Sequence, residues 1–487
     1  MNPGTEKLIS LDKEYLWHPF TQMKTWLASE PVIIESGDGF YLIDTEENRY
    51  IDGVSSLWCN VHGHRVKKID DAIKGQLDKI AHSTLLGLAQ TKSIELAEKL
   101  IAVAPALSLP NGPKNLKPVR NNKLKTPDPA LPGQRQKQDV SNGLKKVFYS
   151  DSGATSVEIA LKIAYQYYHN KGQKRDKFIA LGESYHGDTI GSVSVGGIEL
   201  FHSIFKPMLF DTFFAPAPFP YRFNGTAEQC RQFTLDKIEE LLKKNPENIA
   251  AVIVEPLVQG AAGMIVHPKG FLKGVRRLTK KYDCFLIADE VATGFGRTGK
   301  MFACENEDVQ PDIMCLAKGI TGGYLPLAAT LTTQELFDAF LGEPAEFKTF
   351  FHGHTYTGNA LACAAAIASL ELFQENKIIE SLPAKINLIA DYFKKISLLD
   401  YVGDVRQCGL MAGIEIVKDK KTKESFPYEN LIGAKVCDAM KPKGAMIRPL
   451  SDVIVLMPPV AIDLPLLRQL LDIVYDTIKN DLPKIVK

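Results

Sequence analysis

A carboxylate and an amine stand at the ends of two apolar segments in the middle of the chain. The run CFLIA ends at Asp289-Glu290, and the run PDIMCLA ends at Lys318-Gly319. Short apolar runs of this kind predict buried strands, and the carboxyl ends of parallel strands line one ligand-binding edge of a sheet. The spacing therefore predicts that Asp289 and Lys318 reach the same bound molecule.

Such a pair suits pyridoxal 5'-phosphate (PLP). A lysine amine forms a Schiff base with the PLP aldehyde, and a carboxylate keeps the pyridine nitrogen protonated so that the ring accepts electrons. Desolvation beside a cationic ring would lower the pKa of that lysine. The alternative for the two residues alone is a helix-capping Asp289 and a surface Lys318, and the pair by itself leaves both interpretations open.

A competing pattern lies inside the same stretch, where residues 294–299 (GFGRTG) match G-x-G-x-x-G. A dinucleotide site needs these glycines between a strand and the helix that they open. Here an acidic pair follows the strand first, and the next residues show no long helical period. We therefore expect no nicotinamide site, and a non-enzymatic binding module has no feature in its favour.

The composition narrows the class of protein. The 487 residues predict two or more lobes, and 58 Lys+Arg against 57 Asp+Glu give a net charge of +1. That balance argues against nucleic-acid and membrane-surface partners. The N-terminal stretch lacks an apolar signal core, and the eight cysteines show no C-x-x-C spacing. We expect a cytoplasmic protein with free thiols, and no metal site, because His62 and His64 lack a third ligand at useful spacing.

Strand patterns alternate with helix patterns across 145–331, which predicts an α/β fold with a mostly parallel sheet flanked by helices. Residues 31–53 alternate like an antiparallel hairpin or meander, and 70–87 and 91–105 show helical spacing. The Phe- and Pro-rich segment 196–225 predicts a loop. Residues 109–143 are rich in Pro, Lys, Asn and Gln, which predicts a mobile surface insertion.

Several loops could serve a ligand. The turn SDSGA leads from a strand into a helix at Gly153 and Ala154, and a helix N-terminus suits a phosphate. Tyr185 could stack on a cofactor ring or lie in the core. Arg448 could bind a substrate carboxylate at two points, Arg406 competes for that role, and either could form a structural ion pair.

Six segments in order resemble the class III PLP-dependent aminotransferases: SDSGA, YHGDT, VEPLVQG, ADEVATGFGRTGKMFACE, LAKGITGGYLP and HGHTYTGN. The resemblance covers nearly the whole chain except roughly 109–143. It implies the fold type I of PLP enzymes, with a seven-stranded type of sheet in the large domain. The implied parts are an N-terminal segment and active-site rim (1–58), a large PLP-binding domain (59–359), and a connecting helix with a small α+β domain (360–487).

The resemblance also implies roles for the candidate residues. Lys318 would be the Schiff-base lysine and proton shuttle, and Asp289 would face the pyridine nitrogen. Gly153 and Ala154 would bind the phosphate through backbone amides, and Tyr185 would stack on the ring. His354 and Thr355 would complete the phosphate site from a second subunit, which implies a homodimer with shared active sites. Gly353 and Arg448 would contact the substrate.

Within the family, WHPFTQM, VHGHR, IRPL and LMPP resemble the branch that makes 7,8-diaminononanoate from 8-amino-7-oxononanoate in biotin biosynthesis. Phe20, Leu57 and Trp58 would line its substrate pocket. Phe20 replaces a tyrosine, and Leu57 a tryptophan, of the members that use S-adenosyl-L-methionine as amino donor. We expect that donor. L-lysine is the alternative donor, and another class III ω-aminotransferase is the alternative enzyme.

Overall fold

The computed structural model describes residues 2–105 and 143–487, and it centres on a seven-stranded sheet. Six strands are parallel to one another, and Ala328–Thr333 runs antiparallel to both of its neighbours. This arrangement confirms the predicted α/β fold with a mostly parallel sheet. The strands lie in the order Leu144–Ser150, Ala328–Thr333, Ile313–Leu316, Phe285–Asp289, Ile249–Val254, Lys177–Leu181 and Phe213–Ala215.

Both faces of this sheet are covered by helices. In the strand Ile249–Val254, Ala251 and Ile253 belong to the core shared with the helix Gly153–Asn170. Val252 and Val254 belong to the opposite core, which includes side chains of the helices Ala227–Lys244 and Phe271–Lys281. Because successive side chains of a strand point to opposite faces, a strand buried on both sides becomes a continuous apolar run.

The chain termini build two smaller sheets beside the large one. The first sheet consists of the predicted antiparallel strands Ile34–Asp38, Tyr41–Asp44 and Arg49–Asp52, followed by Ala445–Met446 in parallel pairing. The second is antiparallel, in the order Val402–Cys408, Met411–Ile416, Val453–Leu456 and Arg448–Leu450. The main helices outside the large sheet are Pro3–Tyr15, Lys67–Leu77, Thr91–Val103, Ala360–Glu375, Ile378–Ile396, Ile432–Met440 and Leu464–Asp476.

Two elements differ from the sequence predictions. The helix expected over 70–87 spans Lys67–Leu77, because Ile80 and Leu86 beyond it are exposed and offer the helix no buried face. The segment 196–225 is not all loop, since Phe213–Ala215 forms the edge strand of the large sheet. The predicted insertion 109–143 lies outside the described residues except for Gly143.

Within the described ranges, the helices are all too short or too polar to cross a membrane.

Candidate active site

A cavity of about 680 Å³ lies at the carboxyl ends of the central strands. Asp289 is the last residue of its strand, and Lys318 follows the neighbouring strand Ile313–Leu316 by two positions. Both side chains line the cavity, as the sequence predicted. Four more predicted residues line it as well: Trp58, Gly153, Ala154 and Tyr185.

The carboxylate of Asp289 is buried and fixed by two donors. Asp289 Oδ2 lies 2.6 Å from His186 Nδ1, and Oδ1 accepts the backbone N–H of Val291 at 3.1 Å. A carboxylate only accepts, so the His186 proton sits on Nδ1. His186 Nε2 is buried without a partner in the described chain. No role is predicted for His186 from the sequence, although it lies directly next to the candidate residue Tyr185.

Lys318 extends its amine into the cavity from a left-handed backbone position with φ of 47°. Its Nζ lies 5.2 Å from the centre of the Trp58 ring. Burial lowers the pKa of this amine from its usual 10.5, and the charges of Asp289 and Glu255 oppose that shift only in part. A lysine with a lowered pKa is more often unprotonated at neutral pH, and is then a nucleophile and a base.

The helix Gly153–Asn170 points its N-terminus at the same cavity. Ser152 caps it, with its side chain accepting from the Thr155 N–H. A Cβ on Gly153 would lie 2.5 Å from Val291, and a Cβ on Gly187 would lie 2.4 Å from the Ala154 side chain. Glycines are therefore required where the helix start meets its neighbours. The exposed N–H groups and the helix dipole make this end an anion site.

Glu255 joins two walls of the cavity. Its carboxyl group accepts the backbone N–H of Tyr185 at 3.0 Å and that of Gly260 at 2.9 Å. Burial raises the pKa of Glu255 to about 7, with the charge of Asp289 adding to the shift and His186 opposing it. Tyr185 in turn donates its O–H to Asp188 at 2.6 Å. No function is predicted for Glu255 from the sequence, where it lies in the segment VEPLVQG.

The comparisons with known proteins agree with this geometry. The family model for class III aminotransferases matches residues 23–110 and 120–478. The chain belongs to the class III aminotransferases.

Individual relatives extend over nearly the full length of this aminotransferase. The adenosylmethionine-8-amino-7-oxononanoate aminotransferase of Aquifex aeolicus is 51% identical over 471 residues, covering 96% of this chain and 95% of that protein. The crystal structure of the same-named enzyme from Methanocaldococcus jannaschii is 47% identical with a TM-score of 0.86, and the match covers 97% and 99% of the two chains. A PLP-bound amine transaminase from an uncultivated Pseudomonas species is 30% identical with a TM-score of 0.83, covering 95% and 98%.

The segment that brings Trp58 to the cavity is an unusual turn. Four consecutive residues that are not glycine, Ser55 to Trp58, have φ values of 52°, 51°, 85° and 69°. A left-handed conformation costs about 1–2 kcal/mol per such residue. The turn presents Trp58 to the cavity, while Leu57 is 50% exposed.

Six predicted site residues are not among those that line the cavity: Phe20, Leu57, Gly353, His354, Thr355 and Arg448. Phe20 is 60% exposed, and its ring centre lies 5.4 Å from that of Phe201, which in turn is 6.4 Å from that of Tyr185. Arg448 is exposed at the start of its strand. The competing Arg406 is buried, with its guanidinium bonded to Gly263 O and Glu415, which favours a structural role.

The loop 352–359 borders a second hollow of about 460 Å³, lined by Gly353 and His354 together with apolar residues such as Leu86. His354 Nδ1 lies 2.7 Å from Asp151 Oδ2, and Asp151 lines the main cavity. The loop therefore touches the edge of the site in its own chain without lining the cavity.

The glycines of 294–299 do not open a helix. They lie in a turn, and the next regular element is the short 3₁₀ segment Ala303–Glu307. The helix that a dinucleotide motif has to open is therefore not found at these residues.

Proposed function

We propose that this aminotransferase converts 8-amino-7-oxononanoate to 7,8-diaminononanoate in biotin biosynthesis, with PLP as cofactor and S-adenosyl-L-methionine as amino donor. The observation that carries the proposal is the convergence of Lys318 and Asp289 in one cavity, in a chain about half identical to enzymes of that name over nearly its full length. Sequence identity of this extent supports the substrate, and the cavity supports the chemistry.

The donor groups of the cavity fit PLP. Lys318 would hold the aldehyde carbon through an amine whose pKa is already lowered. Asp289, oriented by His186, would face the pyridine nitrogen. The N-terminus of the helix Gly153–Asn170 would hold the phosphate, and Tyr185 would cover the ring. When bound, PLP supplies an electron sink for the carbon that carries the transferred amino group.

The chain's own residues then have defined tasks. Once free of the aldehyde, Lys318 would take the proton from the donor's α-carbon in the first half of the reaction, and in the second half it would supply a proton to the acceptor carbon that receives the amino group. Asp289 would present its carboxylate to the ring nitrogen in an orientation fixed by two donors, His186 Nδ1 and Val291 N. Trp58 lies against the lysine and forms one wall for the substrate.

We propose a homodimer in which His354 and Thr355 of each chain complete the phosphate site of the other. Their loop, with Gly353, borders a separate hollow in its own chain, and exposed apolar residues such as Leu86 and Phe351 surround it. Arg448 would bind the substrate carboxylate, with Phe20 and Leu57 on the substrate side of Trp58.

A second donor has one observation in its favour. Phe20 and Leu57 stand where adenosylmethionine-dependent members carry a tyrosine and a tryptophan, so L-lysine is the competing donor. The named relatives favour S-adenosyl-L-methionine.

The decisive experiment gives the purified PLP-loaded enzyme 8-amino-7-oxononanoate with each donor separately and measures 7,8-diaminononanoate. We expect product with S-adenosyl-L-methionine. If 7,8-diaminononanoate forms with L-lysine and not with S-adenosyl-L-methionine, the proposed donor is wrong and the proposed place in biotin biosynthesis is retained. No product with either donor, together with turnover of simple ω-amines, would make the protein a different class III aminotransferase.

A further inference from the structure

Hydrogen bonds to residues outside the turn hold Ser55–Trp58 in its left-handed conformation. Asp52 is fully buried and accepts both the backbone N–H of Ser56 at 2.8 Å and its hydroxyl at 2.7 Å. The Ser55 hydroxyl donates to the carbonyl of Met457 at 2.7 Å. Strained backbone of this kind persists only where surrounding contacts over-determine it, and it concentrates at functional sites.

The strongest anchor is Arg297, from the glycine segment 294–299 that matched a dinucleotide pattern. Its guanidinium is buried and donates to the carbonyls of Trp58 at 3.2 Å, Asn60 at 3.0 Å and Pro458 at 2.6 Å. Across the described residues it has no carboxylate within 4.0 Å. Gly296, with φ of 87°, lets the backbone turn next to it.

A buried cation without a carboxylate is costly, so its partners must compensate. The three carbonyl groups do so only while the turn keeps its present shape, because Trp58 O and Asn60 O must both face the guanidinium. The same geometry orients the Trp58 ring, which lies above the Lys318 amine and within 3.2 Å of where a Cβ on Gly260 would be. The position of the Trp58 ring therefore depends on the hydrogen bonds that Arg297 donates to the backbone of the turn.

We propose that Arg297 and Asp52 are positioning residues that hold the Ser55–Trp58 turn left-handed and thereby fix Trp58 and Leu57 for the substrate. The inference rests on the proposed function only for the identity of that substrate. Without the anchors the turn relaxes toward ordinary backbone angles and carries the Trp58 ring away from the cavity. The segment 294–299 then has the task of holding the Ser55–Trp58 turn through Arg297, and it does not bind a nucleotide.

The first test follows Trp58 without any reaction. The chain has three tryptophans, so Trp17→Phe and Trp26→Phe leave Trp58 as the only tryptophan, which can be excited selectively over tyrosine. In that background we expect Arg297→Lys to raise acrylamide quenching of Trp58 about threefold, because the single nitrogen of lysine cannot span the carbonyls that two guanidinium nitrogens reach.

Ser56 supplies a matched pair of rescue variants. Ser56→Gly and Ser56→Ala lose the same hydroxyl, but only glycine adopts positive φ without steric cost. Added to Arg297→Lys, Ser56→Gly should return the quenching most of the way to the parent value, and Ser56→Ala should not.

The second test is kinetic and uses the PLP-loaded enzyme. We expect Arg297→Lys to raise KM for 8-amino-7-oxononanoate about tenfold while kcat falls less than about threefold, since uniform binding is lost. PLP absorbance should not change, and Ser56→Gly should recover most of the loss in KM. Arg276→Lys, which breaks the ion pair with Asp312 at the far end of the strand Ile313–Leu316, is the control for general destabilisation and should not change KM.

Asp52→Asn provides a second route if Arg297→Lys does not fold, and it should change quenching and KM in the same direction. Parent-like quenching and KM in the variants that fold would overturn the inference and leave the proposed function standing. Rescue by Ser56→Ala equal to that by Ser56→Gly would also overturn it. Altered quenching with glycine-specific rescue, in a protein that does not use 8-amino-7-oxononanoate, would support the inference and reject the proposed substrate.

Discussion

The two walls of the cavity are built in different ways. The wall that we propose for the cofactor, called here the cofactor wall, consists of strand ends and a helix start, with Asp289 at the end of a strand, Lys318 two residues beyond another and Gly153 at the first position of a helix. The wall that we propose for the substrate, called here the substrate wall, consists of irregular backbone, with Trp58 on the left-handed turn Ser55–Trp58. Regular hydrogen bonding fixes the first wall, whereas the side chains of Arg297 and Asp52 fix the turn of the second.

This difference suggests a division of tasks, in which the cofactor wall carries out the reaction and the substrate wall selects the substrate. Residues at strand ends keep their positions as long as the sheet exists, which suits groups that must act on the same cofactor in every relative. A turn held by a few distant contacts changes with few substitutions, so the substrate wall can differ between enzymes that share a cofactor wall. Loss of a cofactor-wall residue should therefore remove turnover, and changes in the substrate wall should mainly alter which molecules are used.

The largest expected effect comes from the cofactor wall. Lys318→Ala should lower turnover by about 10³-fold or more, because it removes both a nucleophile and a proton-transfer group. The protein should still fold, since the amine makes no hydrogen bond to the described residues. Turnover and the absorbance of bound PLP measure the effect. If the variant kept activity within tenfold of the wild type, turnover would not depend on Lys318, and the assignment of the chemistry to the cofactor wall would be wrong.

The next effect concerns Glu255, which joins the Tyr185 and Gly260 segments. Its folded pKa of about 7 lies above its usual 4.5, so the folded state keeps a proton that the unfolded state has lost. Stability from this residue is full below pH 4.5 and falls as the pH rises toward 7. Glu255→Gln removes this dependence. The unfolding free energy of the variant relative to wild type should rise by roughly 3 kcal/mol between pH 4.5 and 8 in the apoprotein.

Glu290 is the matched control for that measurement. It is equally buried, its pKa is also raised to about 7 mainly by burial, and it bonds the N–H groups of Ala303 and Cys304. It is not among the residues that line the cavity. Glu290→Gln should reproduce the pH-dependent gain in urea or thermal titrations, but only Glu255→Gln should alter the pH profile of turnover. Identical pH profiles of turnover for the two variants would show that Glu255 does not affect the reaction more than a buried carboxyl group outside the cavity does.

The sequence predicted the two walls unequally. Apolar runs ending in Asp289 and Lys318 locate the cofactor wall, because a buried parallel strand is visible as a local pattern. The short edge strand Phe213–Ala215 escaped notice, since three residues carry no period. The left-handed turn could not be predicted either, because VSSLW contains no glycine, the residue that usually indicates a positive φ. Its hydrogen-bond partner Arg297 is also distant in the sequence.

A smaller effect tests whether the substrate wall controls the donor. Leu57→Trp restores the indole that adenosylmethionine-dependent relatives are expected to carry, next to the retained Trp58. An added ring changes the fit of a small pocket by about tenfold in kcat/KM. We expect the ratio of kcat/KM for S-adenosyl-L-methionine to that for L-lysine to rise, with PLP absorbance unchanged. An equal change for both donors would mean that position 57 affects general access and not the choice of donor.

The smallest expected effect returns to the cofactor wall and asks how rigid the phosphate end must be. Ser152 caps the helix Gly153–Asn170, and its hydroxyl and backbone exchange hydrogen bonds with Thr155. Ser152→Ala should cost about 1 kcal/mol of stability, as the loss of a cap does. Because the same turn would carry the amides that we propose for the phosphate, PLP affinity should fall about fivefold for that energy. Equilibrium dialysis of PLP and thermal unfolding of the apoprotein separate the two. A stability loss without any loss of affinity would show that bound phosphate can itself replace the cap, since an anion at the helix start satisfies the same N–H groups.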